Sequence, residues 1–194
     1  MTKNYKSLII LILFALQVVS SWAQKPFVFH NKKFRIAQFT DLHWDAKSPK
    51  CDSTRTTILN ILQREKPDIA ILTGDVVTEK PYEKGWKQII EIFETARIPF
   101  VVTMGNHDAE HFSRDEIYRM LFASKFYSGL PSPKEISGNG NCALPIYDNN
   151  TGNAKPKAVL YCIDSNDYQP DKDLGEYDWI HFDQIEWYRR TSEA

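Results

Sequence analysis

Three short clusters of polar residues in this chain combine the side chains that bind metal ions and transfer protons. They are Asp41-Leu42-His43, Gly74-Asp75 and Gly105-Asn106-His107-Asp108. Carboxylates packed together raise one another's pKa unless a cation lies among them. Mixed carboxylate, imidazole and amide ligands suit Mn, Fe or Zn rather than a metal selected by thiolates. Each cluster alone is a weak signal, because Asp, Asn and Gly also occur in turns, but the three together predict a metal site.

Each cluster follows an apolar segment that we predict to be a β-strand. These segments are Phe34 to Phe39, Ile69 to Thr73 and Phe100 to Met104. Because ligands bind outside the carboxyl ends of the strands in an open parallel sheet, we expect the clusters to lie side by side on one rim. Extended backbone would point Asp41 and His43, which are two residues apart, in the same direction.

Helical patterns separate the predicted strands. An apolar stripe marks Thr56 to Arg64, a second amphipathic segment includes Trp86 to Phe93, and Ser113 to Glu116 has the spacing of a capping box before a third helix. Strands separated by helices of this length imply right-handed βαβ units. The fold class is therefore predicted as α/β with a βαβαβ parallel core.

The remainder of the chain is richer in loops. We expect loops from Ser128 to Asn153 around a short strand at Cys142 to Tyr147, and a further strand at Ala158 to Ile163. A helix is expected from Phe182 to Arg190. No linker separates two domains.

The N-terminus has the pattern of a secretory signal peptide. Lys3 and Lys6 precede an apolar run from Leu8 to Val19, and small residues lead to a cleavage point after Ala23. The run is shorter than the roughly 20 residues that span a bilayer, although an uncleaved anchor is the alternative. We expect residues 1–23 to be removed, residues 24–194 to form the domain, and the product to be secreted or periplasmic, with no membrane attachment after cleavage.

Composition excludes several classes of protein. The 194 residues include 24 basic and 25 acidic side chains, and 42% are hydrophobic. This balance is typical of a globular chain and lacks the basic excess of a nucleic-acid or anionic-membrane binder. Three cysteines are too few for a disulfide scaffold. Export would allow Cys51, Cys142 and Cys162 to pair, but the sequence assigns no bridge and Cys162 is expected in the core.

The ordered set D-x-H, G-D and G-N-H-D resembles the calcineurin-like metallophosphoesterases, from Phe34 to about Trp187. Five segments are most similar to its secreted, purple-acid-phosphatase-like branch: Met104 to Asp108, Ser113 to Glu116, Gly140-Asn141, Tyr177 to Ile180 and Gln184 to Trp187. The resemblance implies the N-terminal half of an α/β/β/α sandwich. A tyrosinate-iron site is not supported, because no tyrosine follows Asp75 with the D-x-x-Y spacing.

The resemblance also implies a role for each residue of the clusters. Asp41, His43 and Asp75 would hold one metal ion, and Asp75 would bridge to a second ion that Asn106 also binds. A metal-bound hydroxide would then attack the phosphorus of a small phosphomonoester or phosphodiester. His107 would protonate the leaving oxygen, and Asp108 would orient His107.

One departure from the family bears on activity. Family members complete both metals with histidines of a second half, including a late G-H-x-H, and none of the five histidines here lies in that motif. We therefore expect a chain truncated before that half, with one face of its sheet uncovered. The alternative to an enzyme is an inactive remnant that binds at most one metal or a partner chain. A third interpretation is a carbohydrate- or protein-binding domain that uses Trp44, Trp86 and Trp179.

Overall fold

A computed structural model describes residues 25–148 and 155–193 of the chain. The predicted signal peptide lies outside the described residues. Strands and helices alternate in the order β1 (Phe27–Val28), β2 (Ile36–Phe39), α1 (Lys50–Glu65), β3 (Ile69–Thr73), α2 (Tyr82–Ala96), β4 (Phe100–Thr103), α3 (Arg114–Ala123), β5 (Cys142–Tyr147), β6 (Ala158–Cys162) and α4 (Phe182–Glu193).

The first sheet is parallel and has the order β2-β3-β4. Ile36 pairs with Ile69, and Ala70 pairs with Phe100, so the three strands end at one edge. Ala70, Leu72, Phe100 and Val102 face the main core with the buried side chains of α1 and α2. The predicted βαβαβ parallel core is confirmed.

A second sheet covers the other face of the first. Its order is β1-β5-β6, with β1 parallel and β6 antiparallel to β5. Ile69 and Val101 of the first sheet pack against Cys142, Leu144 and Cys162 of the second. The expectation that one face of the first sheet would be uncovered was therefore wrong. β5 alternates buried and half-buried residues, which gives it one face that packs on the first sheet.

The helices extend beyond their apolar stripes. α1 begins at Lys50 rather than Thr56, because its first turn is polar and carries Asp52, a favourable charge at a helix N-terminus. The predicted cap of α3 is present: the Ser113 Oγ accepts a hydrogen bond of 3.3 Å from the Glu116 amide and donates one of 2.8 Å to its carboxylate. The helix therefore starts where the capping box places it.

Four polar residues, which we call the polar hub, join the second sheet to two helices. The hub consists of Arg114, Asn141, Asp164 and Gln184; the last three are buried. The Asp164 amide donates to Asn141 Oδ1 at 2.9 Å, and Gln184 Nε2 donates to the Asp164 carbonyl at 2.6 Å. Arg114 forms an ion pair with the Asp164 carboxylate. The hub fixes the start of β5 and the end of β6 to α3 and α4.

The tryptophans do not form a binding groove. Trp44 is 1% exposed and Trp86 is fully buried, so both belong to the core. Trp44 also donates from its indole nitrogen to Gln88 Oε1 at 2.9 Å. The tryptophan-based interpretation is therefore excluded. Across residues 25–148 and 155–193, no helix has the length and apolar character that crossing a membrane requires.

Candidate metal centre

The loops that leave β2 and β3 adopt an uncommon backbone conformation at the predicted ligands. Asp41, His43 and Asp75 have φ values of 51°, 42° and 50°, in the left-handed region. Such conformations are costly for residues other than glycine and cluster at functional sites. The expectation of extended backbone at Asp41 and His43 was therefore wrong, yet both side chains still reach the same point.

Backbone hydrogen bonds hold these two loops side by side. The amides of Asp41, His43 and Trp44 donate to the carbonyls of Gly74, Asp75 and Val76 at 3.1, 2.9 and 2.9 Å. The pairing of β2 with β3 thus continues past the ends of both strands. As a result, the side chains of Asp41 and His43 lie beside that of Asp75.

Two glycines allow the loops after β3 and β4 to meet. A Cβ on Gly105 would lie 2.2 Å from Asp75 Oδ1, and one on Gly74 would lie 2.9 Å from the Gly105 Cα. Real Cβ atoms do not approach other atoms this closely. The contact between the loops therefore requires glycine at both positions.

Asp41, His43 and Asp75 have the geometry of a metal-binding cluster. One ligand atom from each lies within 4.8 Å of the others. His43 Nε2 is 3.9 Å from Asp41 Oδ1 and 3.9 Å from Asp75 Oδ2. Two atoms that each lie roughly 2.1 Å from one ion are at most about 4.2 Å apart, so these separations fit a shared ion. The Asp41 side chain is 62% exposed, which leaves the cluster open to solvent.

The fourth predicted ligand, Asn106, lies on the neighbouring loop. Its Nδ2 donates to the Tyr168 hydroxyl at 2.8 Å, so Oδ1 is the amide atom that remains available to an ion. The adjacent backbone amide, of His107, donates to Asp75 Oδ1 at 3.2 Å. Asp75 therefore contacts both neighbouring loops, with one oxygen facing His43 and the other facing His107.

The imidazole of His107 has a carboxylate partner that we did not predict. Its Nδ1 lies 2.9 Å from Glu110 Oε1, and the Tyr168 hydroxyl donates to the same oxygen at 2.6 Å. The hydrogen bonds from Tyr168 and His107 lower the pKa of Glu110. The ring of His107 lies 6.1 Å from that of His43, measured between centroids. His107 thus stands next to the cluster, with its Nδ1 engaged by Glu110.

Asp108 makes different contacts from those expected. Its Oδ1 accepts from the amides of Val76 and Val77 at 2.8 and 3.0 Å, and its Oδ2 accepts from Gly105 at 2.9 Å. Burial raises the pKa of Asp108, while these amides act in the opposite direction. Asp108 therefore joins the loops after β3 and β4, and the expected contact with His107 is made by Glu110 instead.

Sequence reasoning missed Glu110 and Tyr168 for different reasons. Glu110 lies three residues after His107, so local spacing offered a signal. Tyr168 lies in the loop after β6 and reaches the site only through the tertiary fold. The remaining histidines lie elsewhere: His30 and His181 pair with Asp68 and Asp178, and the His111 ring lies 5.9 Å from that of Tyr82, measured between centroids. Within the described ranges, the metal-binding cluster contains none of these three.

Comparison with known proteins identifies the family of this chain. Residues 34–194 match the family model described as calcineurin-like phosphoesterase. The chain belongs to the calcineurin-like phosphoesterase family. This assignment confirms the resemblance seen in the three motifs, and it supports a metal-dependent phosphoesterase.

Curated relatives extend the comparison to named proteins. The chain is 30% identical over 187 residues to "Probable inactive purple acid phosphatase 29" of Arabidopsis thaliana, covering 84% of this chain and 48% of that protein. It is 27% identical over 194 residues to "Probable inactive purple acid phosphatase 14" of the same plant, covering 83% and 47%. Identity to "Phosphatase DCR2" of Saccharomyces cerevisiae is 27% over 185 residues, covering 84% and 32%. The chain thus spans a third to a half of the length of these relatives.

Proposed function

We propose that this chain carries the active site of a metal-dependent phosphoester hydrolase that acts on small phosphomonoesters or phosphodiesters. The observation that supports this most directly is the convergence of Asp41, His43 and Asp75 within 4.8 Å, beside His107. Family membership supplies the reaction class. The relatives are longer than this chain, so the activity of the whole protein is itself part of the proposal.

The ligand atoms suit two ions of Mn, Fe or Zn. Asp41, His43 and Asp75 would hold the first. Asp75 and Asn106 would contribute to the second, because an ionised carboxylate has about four lone-pair sites and can serve an ion while accepting the His107 amide. Such ions supply Lewis acidity, which polarises a phosphoryl group and makes hydroxide available near neutral pH.

His107 is the proposed proton donor to the leaving oxygen. Its Nδ1 is held by Glu110 at 2.9 Å, which leaves Nε2 to meet the substrate. The Glu110 carboxylate would stabilise the protonated imidazole, and the Tyr168 hydroxyl fixes that carboxylate at 2.6 Å. Glu110 and Tyr168 are therefore proposed as positioning residues for His107 and Asn106.

The competing proposal is a non-catalytic protein that binds one ion or a partner chain. Two relatives carry the word "inactive" in their names, and the described cluster contains three ligands for a single ion. This second function is distinguished from the first by turnover rather than by metal binding.

Hydrolysis of p-nitrophenyl phosphate and bis-p-nitrophenyl phosphate by the full chain with Mn²⁺ tests the proposal. We expect release of p-nitrophenol that the Asp75→Asn variant abolishes. Metal binding without turnover would reject the enzyme and favour the binding protein. Absence of both metal binding and turnover would reject the enzyme and the metal-binding protein alike.

We also propose export, as the N-terminal pattern predicts. The test is to express the chain in a host that exports proteins and to measure the intact mass of the product found outside the cytoplasm. We expect a chain that begins at Gln24. A cytoplasmic product that keeps Met1 or Thr2 would contradict export.

A further inference from the structure

Two cysteines face each other across the second sheet. Cys142 at the start of β5 and Cys162 at the end of β6 are direct partners in the antiparallel register. Both are 3% exposed, and both belong to the core cluster between the two sheets, together with Ile69, Val101 and Leu144. The two thiols are therefore enclosed together between the sheets.

The register places this pair within reach of a covalent bond. Directly opposed residues in antiparallel strands have Cα atoms about 4.5 or 5.5 Å apart, and their side chains lie on one face. Disulfides usually join Cα atoms that are about 4.4–6.8 Å apart. Both kinds of opposed pair satisfy this range. The third cysteine, Cys51, lies in α1, where its sulfur accepts a 3.3 Å hydrogen bond from the Asp45 amide.

The surroundings of the two thiols favour reaction with each other. The Cys142 thiol is hydrogen-bonded to that of Cys162, which lowers the pKa of Cys142 and raises that of Cys162. The thiolate is the nucleophile in disulfide exchange. Either thiol, once deprotonated, can begin the exchange with an oxidant.

We propose that Cys142 and Cys162 form a disulfide bond in the oxidising compartment expected for this chain, and that the bond fixes the polar hub. The proposal takes its compartment from the proposed export. It does not depend on the proposed hydrolase activity, because a structural disulfide forms in an active or an inactive protein alike.

The reaction balances with a disulfide such as glutathione disulfide as the oxidant. The Cys142 thiolate attacks one sulfur of the oxidant and displaces one glutathione thiolate. The Cys162 thiolate then attacks the Cys142 sulfur of the mixed disulfide and displaces the second glutathione. One S–S bond is formed and one is cleaved, while two protein thiols are oxidised and two glutathione thiols are produced.

The position of the bond links it to the loop that carries Tyr168. Asn141 directly precedes Cys142, and Asp164 lies two residues after Cys162. These hub residues are joined by the 2.9 Å hydrogen bond from the Asp164 amide. A disulfide between the strands would hold both ends of this contact. The loop from Asp164 to Tyr168 would then begin next to a pair of strands that are joined by a covalent bond.

Counting thiols tests the bond directly. The full chain is refolded from urea in glutathione and glutathione disulfide, then denatured and labelled with a maleimide. We expect one labelled thiol, Cys51, and a peptide that links Cys142 to Cys162. The Cys51→Ser control should show no label and the same linked peptide. Three labelled thiols, or a bond that includes Cys51, would overturn the proposal.

Thermal melting tests the effect on the hub. Reduction should lower the Tm of the oxidised protein and of Cys51→Ser by roughly 6–12 °C, because the bond restricts the unfolded chain. It should leave a Cys142→Ala/Cys162→Ala double variant unchanged. An oxidised protein whose Tm does not respond to reductant would refute the stabilising role. If the double variant fails to fold, the change in Tm on reduction of the wild-type protein and of Cys51→Ser still tests the stabilising role.

Discussion

At the scale of single residues, the site separates side chains that could bind an ion from buried side chains that hold the loops in place. Asp41, His43 and Asp75 converge in a cluster that is open to solvent at Asp41 and His43, whereas Asp108 is buried and its carboxylate accepts hydrogen bonds from three backbone amides. The residue types in the three motifs do not by themselves tell which side chains could bind an ion and which hold the loops in place. Neighbouring residues of G-N-H-D thus face different surroundings, one open to solvent and one inside the fold.

His107→Gln should reduce turnover of the full-length protein by about 10²–10⁴-fold, because a positioned proton donor contributes this much. Metal content should stay within error of wild type, since the His107 imidazole is hydrogen-bonded to Glu110 and the contact with Asp75 is made by the His107 backbone amide, which the substitution keeps. Kinetics and metal analysis of the same preparation measure both quantities. If the substitution removes metal, His107 is a ligand and its assignment as proton donor fails.

Asp108→Ala should lower the free energy of unfolding by about 2 kcal/mol or more, because it leaves backbone amides of Val76, Val77 and Gly105 without their acceptor. Urea denaturation measures the change. The control is Glu110→Gln, an exposed position at which we expect a change within about 0.5 kcal/mol. A larger loss in the control would show that Glu110, not Asp108, stabilises the loops.

Much of this arrangement could be predicted from the sequence, and the parts that could not be predicted have a physical reason. Local spacing identified the three polar clusters, one of which includes His107, because each lies in a few consecutive residues. Tyr168 was missed because its hydroxyl reaches Asn106 from a loop 62 positions along the chain. Only the tertiary structure brings such residues together.

At the scale of elements, the site depends on strands that end at one edge and loops that approach closely. Continuous apolar runs identified β3 and β4, since strands buried on both faces carry few polar residues. β1 has only two residues, too few for any periodicity, and it pairs with β5 rather than with a neighbour in sequence. Elements formed by distant pairing were therefore the hardest to predict.

Gly105→Ala should disrupt both stability and metal binding, because its Cβ would lie 2.2 Å from Asp75 Oδ1. We expect the loops after β3 and β4 to separate and Mn²⁺ affinity to fall at least tenfold, measured by calorimetric titration. Gly175→Ala is the control for Mn²⁺ affinity alone: no atom lies within 4 Å of its added Cβ, but its φ of 133° strains an alanine, so stability is not compared between the two variants. Equal affinities in the two variants would contradict the close approach.

At the scale of the whole molecule, two sheets pack face to face, and both are built from the described residues. The exposed apolar side chains are instead concentrated near the C-terminal helix, at Leu174, Tyr177, Trp179, Ile180, Phe182, Ile185 and Tyr188. The apolar face expected on the first sheet is thus covered. This outcome could not be predicted from motifs, because the second sheet combines strands from both ends of the chain.

Leu144→Ala should destabilise the protein by about 2–4 kcal/mol, as expected for a leucine removed from a packed core. Leu144 is 4% exposed and lies between the sheets, whereas Leu174 is 63% exposed. Leu174→Ala should change stability by less than about 0.5 kcal/mol. Similar small effects in both variants, measured by urea denaturation, would mean that the second sheet does not contribute to the cooperative fold.

The central claim is that the loops after β2, β3 and β4 form a metal site, and metal stoichiometry tests it most directly. The full chain is equilibrated with Mn²⁺, dialysed and analysed for bound metal, together with Asp75→Asn and Asn106→Ala. We predict at least one ion per chain, lost in Asp75→Asn and reduced less in Asn106→Ala, because only Asp75 faces both proposed positions. A chain that binds no Mn²⁺, or that binds it equally well in Asp75→Asn, would contradict the account.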